Sequence, residues 1–417
     1  MPAKAVGRAH ICLWADAALL TMKPQMPVMM PKSGLALSLT LTLFAPLAAQ
    51  GLDTVVPTAA TADMLGSGDV ADDLCVWLHP GDRTRSVILG VNKSDKTHGG
   101  LYAFQLDGAR WKQTPRWEKE VNWFAAGKKL NNVDVRHGIA AGAEKWDIVC
   151  AANRTDRALD LFRVRANANG DFERLELAAR VPIGRGFAAG TDAPYGLALF
   201  HPKGSRRSFA VTSDKLGRVA QYELLCHPAG LDAEQITARR FDDHGRPWPI
   251  SERRCEIEGI VADDERAVIY LGSEDEGIFR FRTQDGVLDP GTKVVVDRVG
   301  PRLKADVEGL TLYLGPDGTG YLIASSQGSD RFVVYQRAFS GDQPNAYVTS
   351  FAIGAGQGID AVTATDGIDA VCADFGGQFQ DGIFIAHDGE GHSPSNYKLV
   401  AWANIARVIE KARPPAR

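Results

Sequence analysis

The sequence has no excess of basic residues. Its 47 lysines and arginines face 51 aspartates and glutamates, so the formal net charge is −4. Nucleic-acid-binding domains usually carry a clustered basic surface, and this balance therefore argues against a nucleic-acid partner. If the chain acts on an anionic substrate, local arginines and lysines or bound metal ions must supply the positive charge.

Cysteine is scarce as well, with six residues and no C-x-x-C spacing of the kind that binds zinc. Cys226 and Cys255 flank a polar excursion of the chain. They could form a disulfide in an oxidising compartment, or they could remain two thiols. Cys75, Cys150 and Cys372 lie in apolar, strand-like runs, and we expect all three in the core.

No segment after residue 49 is apolar enough to span a bilayer. Residues 34–49 form an apolar run that follows Lys32 and ends in small residues, which is the pattern of a secretory signal. We therefore predict a leader over residues 1–49, a folded domain over residues 50–417, and a secreted or periplasmic protein without a membrane partner. Several methionines before residue 31 leave the true start of translation open.

Helical periodicity is nearly absent, and only residues 402–411 have helical spacing of apolar residues. Short runs rich in β-branched and aromatic residues recur instead, bounded by Gly, Asp, Asn or Ser, and this pattern is typical of an all-β protein. The clearest runs are residues 87–91, 100–105, 147–151, 158–164, 208–213, 219–224, 268–272, 277–281, 320–325, 332–336 and 382–386.

The strands are grouped into six similar units from about residue 56 onward. Each unit begins with a polar starter, such as the Glu-Gly dipeptides at Glu258 and Glu308, and its first strands lead to a polar turn. The units recur roughly every 50 to 65 residues, which is the range of propeller repeats. One repeat cannot bury both faces of its sheet, so the units must stack radially around a channel. We predict a six-bladed β-propeller, with a β-sandwich as the alternative.

Acidic residues are concentrated in these starters and turns. A single Asp-Gly or Glu-Gly usually marks a turn, but equivalent points of propeller repeats lie at the same end of the channel. So many carboxylates at one mouth would repel each other without bound cations, and their hard oxygens suit calcium. The set is Asp72, Asp73, Asp134, Glu258, Glu274, Asp275, Glu276, Asp306, Glu308, Gln327, Asp366 and Asp369.

Three basic residues occupy equivalent turns of the first three units. Lys93 lies in GVNKSD, Arg154 in AANRTD and Lys215 in TSDKLG. Arginine offers a fork of donors that matches phosphate oxygens, and lysine offers a compact positive charge. Each residue alone would be read as an exposed turn charge. Together they predict a phosphate site beside the metal site.

The motifs, taken in order, resemble those of the β-propeller phytases. They are ADDLCVWLHP, GVNKSD, NNVDVRHG, AANRTD, PYGLALFH, EIEGIVADDE, GSEDEGIFRF, DVEGLTLY, ASSQGSD, TDGIDAV and AHDGEG. The resemblance covers roughly residues 66–410. It implies a six-bladed propeller with several structural and catalytic calcium ions. It also implies an enzyme of the 3-phytase type that removes phosphate from inositol hexakisphosphate, taken up as a calcium complex. Because a closed propeller needs no partner, we expect a monomer, although the sequence leaves an oligomer open.

The same resemblance assigns individual roles. It implies that Glu258 orients the attacking water, and that phosphate is held in two neighbouring sites by Lys93, Arg154, Tyr195 and Lys215. The implied ligands of the catalytic calcium ions are Asp72, Asp73, Glu258, Glu274, Asp306, Glu308, Gln327 and Asp366. A separate, tighter calcium site would use Glu390, with Asp360 and Asp388 as further ligands.

Water activated by a metal ion needs no covalent nucleophile. The sequence accordingly contains neither the R-H-G-x-R-x-P motif of histidine acid phosphatases nor a Cys-x₅-Arg loop. Three positions depart from the family pattern. Ser94 stands where a second lysine is common, Leu216 stands where an acidic residue is frequent, and Gly391 replaces a polar residue beside Glu390. These departures bear on phosphate affinity and on the tight calcium site.

Two other functions compete with this interpretation. A calcium-dependent propeller lactonase or esterase would need fewer phosphate-binding cations, so the three basic turns favour phosphate chemistry. A propeller that only binds a ligand should have lost part of the acidic set, yet Glu258, Glu274, Asp306 and Glu308 are all present. We therefore predict a phytase.

Overall fold

The structure is a computed structural model of the chain. It describes residues 52–413 except for 95–96, 107–110, 114–127, 185–186, 188–189, 191, 241–254 and 390–394. The predicted leader and its boundary after residue 49 lie outside the described residues and stay predictions. Within the described part of the chain, no helix has the length and apolar character needed to cross a membrane.

Strands dominate the described residues. They are β1 Asp53–Val55, β2 Ala59–Ala60, β3 Ala71–Trp77, β4 Val87–Asn92, β5 Gly100–Leu106, β6 Trp111–Gln113, β7 Leu130–Ala141, β8 Glu144–Asn153, β9 Ala158–Ala166, β10 Phe172–Pro182, β11 Leu197–Phe200, β12 Ser208–Ser213, β13 Arg218–His227, β14 Gly230–Arg240, β15 Ile257–Asp263, β16 Val268–Ser273, β17 Gly277–Gln284, β18 Val287–Leu288, β19 Val294–Arg298, β20 Leu310–Leu314, β21 Gly320–Ser326, β22 Arg331–Gln336, β23 Tyr347–Ile353, β24 Ile368–Val371, β25 Ile383–Asp388 and β26 Asn396–Ala401. One α-helix, α1, follows at Trp402–Ala412, and single 3-10 turns lie at Arg83–Arg85, Pro290–Thr292, Pro316–Gly318, Gln327–Ser329 and Gly377–Phe379.

The strands form six sheets, which are the blades of a propeller. Blade 1 is β3–β6, blade 2 is β7–β10, blade 3 is β11–β14, blade 4 is β15–β19, blade 5 is β20–β23 and blade 6 is β24–β26. The first strand of each blade contacts the first strand of the next, and β24 returns to β3. This closed ring confirms the predicted six-bladed β-propeller and excludes the β-sandwich. The predicted C-terminal helix is also present, at Trp402–Ala412.

Hydrophobic cores lie between adjacent blades. Every residue of the central strands β4, β12 and β16 is buried, because both faces of a blade are covered by its neighbours. Strands covered on both faces read as continuous apolar runs. This explains why VILGV and VIYLG show no alternation of apolar and polar residues in the sequence.

The N-terminal strands close the ring. β1 pairs in parallel with β23 of blade 5, and β2 pairs antiparallel with β26 of blade 6. The helix α1 packs against the same region through Trp402 and Ile405, and Lys411 forms an ion pair with Asp53. Residues 53–60 therefore complete the last two blades, whereas the sequence repeats suggested that the first unit begins near residue 56.

The cysteine predictions were correct only in part. Cys75 and Cys150 are buried as predicted, but Cys226 and Cys255 do not form a disulfide. The Cys226 side chain packs between blades 2 and 3, whereas Cys255 packs between blades 3 and 4. The predicted burial of Cys372 was wrong, because this residue is exposed directly after the end of β24.

Candidate active site

One end of the channel collects polar residues from every blade. The innermost strands begin at this end, and their starters are Asp72 and Asp73, Asn131 and Asn132, Tyr195, Glu258, Glu308 and Asp366. The second strand of each blade returns to the same end, where its last residues or the following turn supply Lys93, Arg154, Lys215, Glu274, Gln327 and His387. The repeats therefore bring predicted acids and bases from separate parts of the sequence together, as expected.

Glycine after the site residue lets neighbouring blades approach closely. A Cβ atom on Gly196 would fall within 2.5 Å of the Glu258 carbonyl oxygen, and one on Gly259 would similarly clash with the Glu308 carbonyl oxygen. Gly309 meets the Asp366 carbonyl oxygen in the same way, and Gly367 meets Asp73. The glycine that follows Tyr195, Glu258, Glu308 and Asp366 is therefore required by the close packing of adjacent blades and not by a turn. Any side chain at these positions would push the blades apart.

Four side chains form the centre of the mouth. The Tyr195 hydroxyl lies 2.6 Å from Glu258 Oε2 and 2.8 Å from Glu274 Oε1. Carboxylate oxygens of Glu258, Glu274 and Glu308 lie within 4.8 Å of one another, and all three residues are buried. A hydroxyl has one proton to donate, so Tyr195 satisfies only one of the two carboxylates at a time.

The crowding shifts the protonation of these carboxyl groups. Burial and the charge of Glu258 raise the pKa of Glu308 well above its ordinary value. Burial and the charges of Glu258 and Glu256 raise the pKa of Glu274 to about 8. Burial also acts to raise the pKa of Glu258, but hydrogen bonds from Glu308 and Tyr195 outweigh it and keep that pKa below the ordinary value. Without a cation, the cluster therefore holds protons at neutral pH in order to limit its charge.

A second group surrounds Lys93. Its ammonium lies 2.5 Å from Asp366 Oδ2, 2.7 Å from Asp69 Oδ2 and 3.9 Å from Asp72 Oδ2. The other oxygen of Asp366 accepts a hydrogen bond of 2.6 Å from Gln327 Nε2. The positive charge of Lys93 therefore balances the negative charges of three carboxylates at the mouth.

The remaining basic residues surround Tyr195. The Arg154 guanidinium lies 5.4 Å from the Tyr195 ring centre, and the Lys215 ammonium lies 4.1 Å from it. Lys215 forms an ion pair with Glu256, while Arg154 donates to Asn131 Oδ1 at 2.8 Å. Arg154 and Lys215 thus both lie beside the Tyr195 ring, and the hydroxyl of this tyrosine contacts the carboxylate cluster.

Sequence reasoning missed several residues at the mouth. Asn131 Nδ2 donates to Glu258 Oε1 at 2.6 Å, and Asn132 Nδ2 donates to Asp73 Oδ2 at 3.1 Å. Asp69 contacts Lys93, and the fully buried His387 accepts the Asp366 backbone N–H at Nδ1. The asparagines stood in the quoted motif NNVDVRHG, and their place in the second repeat was the signal that could have identified them.

Lys129 is a further cation that the sequence did not single out. Its backbone carbonyl accepts the Arg154 N–H at 3.0 Å, which places it one residue before β7 and beside the Arg154 turn. Burial and the charge of Arg154 lower the pKa of Lys129. Among the ion pairs of the described residues, none includes its ammonium, whereas Lys93, Lys128, Arg154 and Lys215 each have an acidic partner.

Some acids of the predicted set have other environments. Asp134 and Asp369 lie farther down the channel, where they accept the backbone N–H groups of Leu199 and Val76 from adjacent blades. Asp73 accepts the N–H of Val133 in the same manner. Asp306 is half-buried at the rim, and Asp275 is exposed. The channel acids therefore join blades together, and the mouth acids remain as candidate ligands.

The mouth has the ligand chemistry that calcium requires. Asp72 Oδ1 and Glu308 Oε2 are buried and accept no hydrogen bond within the described residues. Buried carboxylate oxygens without a partner are costly unless a cation binds them. The oxygens of Glu258, Glu274 and Glu308 also lie together, and such a group of carboxylates suits an ion that takes oxygen ligands. Asp72, Glu258, Glu274, Glu308 and Asp366 therefore fit a calcium site.

The predicted tight calcium site is different. Asp360 and Asp388 lie close together, but the ammonium of Lys398 is between them, 2.9 Å from Asp360 Oδ1 and 2.7 Å from Asp388 Oδ2. Glu390 lies outside the described residues. The oxygens of this pair thus already bind a positive charge from the chain itself.

Two comparisons with known proteins identify similar sequences over most of the chain. A family model described as phytase matches residues 29–414. The 3-phytase of Bacillus subtilis (strain 168) is 32% identical over 396 residues, which are 93% of this chain and 94% of the relative.

Solved structures with a similar arrangement are more distant. A periplasmic gluconolactonase of Pseudomonas aeruginosa has a TM-score of 0.42 and 14% identity, and the match covers 64% of this chain and 68% of that one. The β-propeller domain of Cps50 (Swd1) from Myceliophteria thermophila has a TM-score of 0.40 and 11% identity, with coverage of 81% and 99%.

Proposed function

This chain belongs to the phytase family, and we propose that it releases phosphate from phytate with calcium ions bound at the channel mouth. The proposal rests above all on one observation, the buried carboxylate cluster of Glu258, Glu274 and Glu308 beside the cations Lys93, Arg154 and Lys215. Such a mouth pairs metal ligands with groups that bind phosphate oxygens. Membership of the phytase family supports phosphate release over the alternatives of a lactonase and of a propeller that only binds a ligand.

The residues of the mouth would divide the work. Bound calcium would neutralise phosphate oxygens and lower the pKa of a bound water. Lys93, Arg154 and Lys215 would hold the oxygens of the phosphate groups through charged hydrogen bonds. The Tyr195 ring contacts both Arg154 and Lys215, and its hydroxyl donates to Glu258 or Glu274. Glu258 Oε2 would orient the attacking water and accept a hydrogen bond from it.

Phosphate release from phytate in the presence and absence of calcium tests the proposal. We expect release by the purified chain when calcium is supplied, loss of release after chelation, and recovery when calcium is returned. The reason is that the mouth carboxylates repel both each other and the phosphates unless cations are bound. Release that continues at the same rate after chelation would contradict the calcium part of the proposal, and no release at any calcium concentration would contradict the whole.

The proposed function also gives Lys129 a role. Lys129 feels the like charge of Arg154 and, more weakly, the opposite charges of Asp192 and Asp72, and no ion pair of the described residues includes its ammonium. A phosphate group of the substrate is therefore a suitable counter-charge. A lost hydrogen bond between charged groups costs about 1.5–3 kcal/mol. We expect Lys129→Gln to raise KM for phytate by about tenfold or more with little change in kcat.

Lys128 provides the matched control for this variant. Its ammonium is bound to Asp156 at 2.8 Å, so its charge already has a carboxylate partner in the protein. Steady-state kinetics on phytate should show KM close to that of the unaltered protein for Lys128→Gln. Equal KM values in the two variants would refute the role of Lys129.

A further inference from the structure

Lys398 lies at the centre of the acidic pair for which family resemblance predicts tightly bound calcium. The lysine is on β26 and is 1% exposed. Its ammonium contacts three side-chain oxygens, at 2.9 Å from Asp360, 2.7 Å from Asp388 and 2.7 Å from Asn396. An ammonium has three protons to donate, so these three acceptors account for all of them.

Both carboxylate oxygens of Asp388 also have partners within the protein. Asp388 Oδ2 binds the ammonium, and Asp388 Oδ1 accepts the backbone N–H of Thr363 at 3.0 Å. Asp388 is itself 5% exposed. Both of its oxygens are therefore satisfied by the protein, whereas Asp72 and Glu308 at the mouth each have a buried oxygen without a hydrogen bond.

A calcium ion at this pair would have to displace the ammonium. A buried lysine that loses its carboxylate partners is left with an uncompensated charge, which is strongly unfavourable. The side chain cannot avoid this cost by moving into water without opening the packing around β26, because it is almost completely buried. The arrangement thus favours the tethered cation over a free one.

We propose that Lys398 is a built-in cation that replaces calcium at Asp360 and Asp388, so that blade 6 is held together there without metal. The structural role that the family pattern assigns to an ion at this pair is then carried by a side chain. The proposal concerns stability and calcium stoichiometry. It does not depend on whether the chain hydrolyses phytate.

Thermal unfolding of the full chain in a calcium chelator is the first test. Lys398→Met leaves two buried carboxylates without a counter-charge, and we expect its Tm to fall by about 5–10 °C. Lys128→Met removes a more exposed ion pair and should change Tm by no more than about 2 °C. Added calcium should raise the Tm of Lys398→Met by more than that of the unaltered chain, because the ion can then enter the vacated pair. Equal Tm values for the two variants in chelator would overturn the proposal.

Calcium stoichiometry gives a second test that survives if Lys398→Met does not fold. Equilibrium dialysis should find as many calcium ions bound to Asp360→Asn as to the unaltered chain, while Glu308→Gln at the mouth should lose binding. Loss of one ion per chain from Asp360→Asn would show that the pair does bind calcium, and would overturn the proposal.

Discussion

Replacing Glu258 by glutamine is expected to lower kcat for phytate by about 10³-fold. Glu258 is 6% exposed and accepts hydrogen bonds from Asn131 and Tyr195. Glutamine has nearly the same size, but it removes the negative charge that the proposed calcium ion and attacking water would require. Its amide oxygen can keep the hydrogen bond from Asn131, while its amide nitrogen can donate to the Tyr195 hydroxyl. The measurement is the initial rate of phosphate release at saturating phytate and calcium.

The same substitution should not weaken the fold. Glu258 raises the pKa of Glu308 and Glu274 through its charge, so removing that charge relieves repulsion among buried carboxyl groups. In chelator we therefore expect Glu258→Gln to unfold at a Tm no lower than the unaltered chain. Glu223→Gln is the matched control, since Glu223 pairs with Arg207 on the outer part of blade 3. An activity of Glu258→Gln within about threefold of the control would refute the assigned role.

Replacing Arg337 by methionine is expected to lower the free energy of unfolding by about 3–5 kcal/mol. Arg337 and Asp263 are both 0% exposed, and the guanidinium binds the carboxylate at 2.6 and 2.7 Å. The pair joins blade 5, where Arg337 follows β22, to blade 4, where Asp263 ends β15. Methionine fills much of the space but leaves Asp263 as a buried charge without its counter-ion.

A neighbouring ion pair offers a direct control for Arg337. Lys203 binds Glu265 at 3.1 Å, but these side chains are 72% and 42% exposed. Water screens such a pair, and Lys203→Met should cost under about 1 kcal/mol. Urea unfolding followed by circular dichroism measures both variants. A loss for Arg337→Met as small as that of the control would mean that the buried pair contributes little to joining the blades.

The blade architecture could be predicted because the repeats encode it locally. Every unit places its polar starter one strand before its polar turn, so Glu258 and Glu274 are brought together by a single hairpin. The same logic located Lys93, Arg154 and Lys215 from three different units. These predictions needed only the order of strands and the rule that equivalent points of a propeller share one end of the channel.

What the sequence could not show depends on contacts between residues that are distant along the chain or on different faces of a blade. Lys398 reaches Asp360 and Asp388 only because β25 and β26 are adjacent, and nothing in the local sequence marks that lysine as a cation holder. The separation of Cys226 from Cys255 depends on which face of blade 3 each side chain occupies. Neither feature produces a periodic pattern in the sequence, so both could be recognised only in the three-dimensional structure.

The closure of the ring ties the beginning of the described chain to its end. Asp53 pairs with Phe351, and Ala59 pairs with Leu399. Residues 53–60 are therefore synthesised long before their partners in β23 and β26, and blades 5 and 6 keep open strand edges until the two meet. Unpaired edges invite association with other chains, and long-range pairing slows folding. A chain released before residue 399 is thus expected to aggregate even though its first four blades are complete.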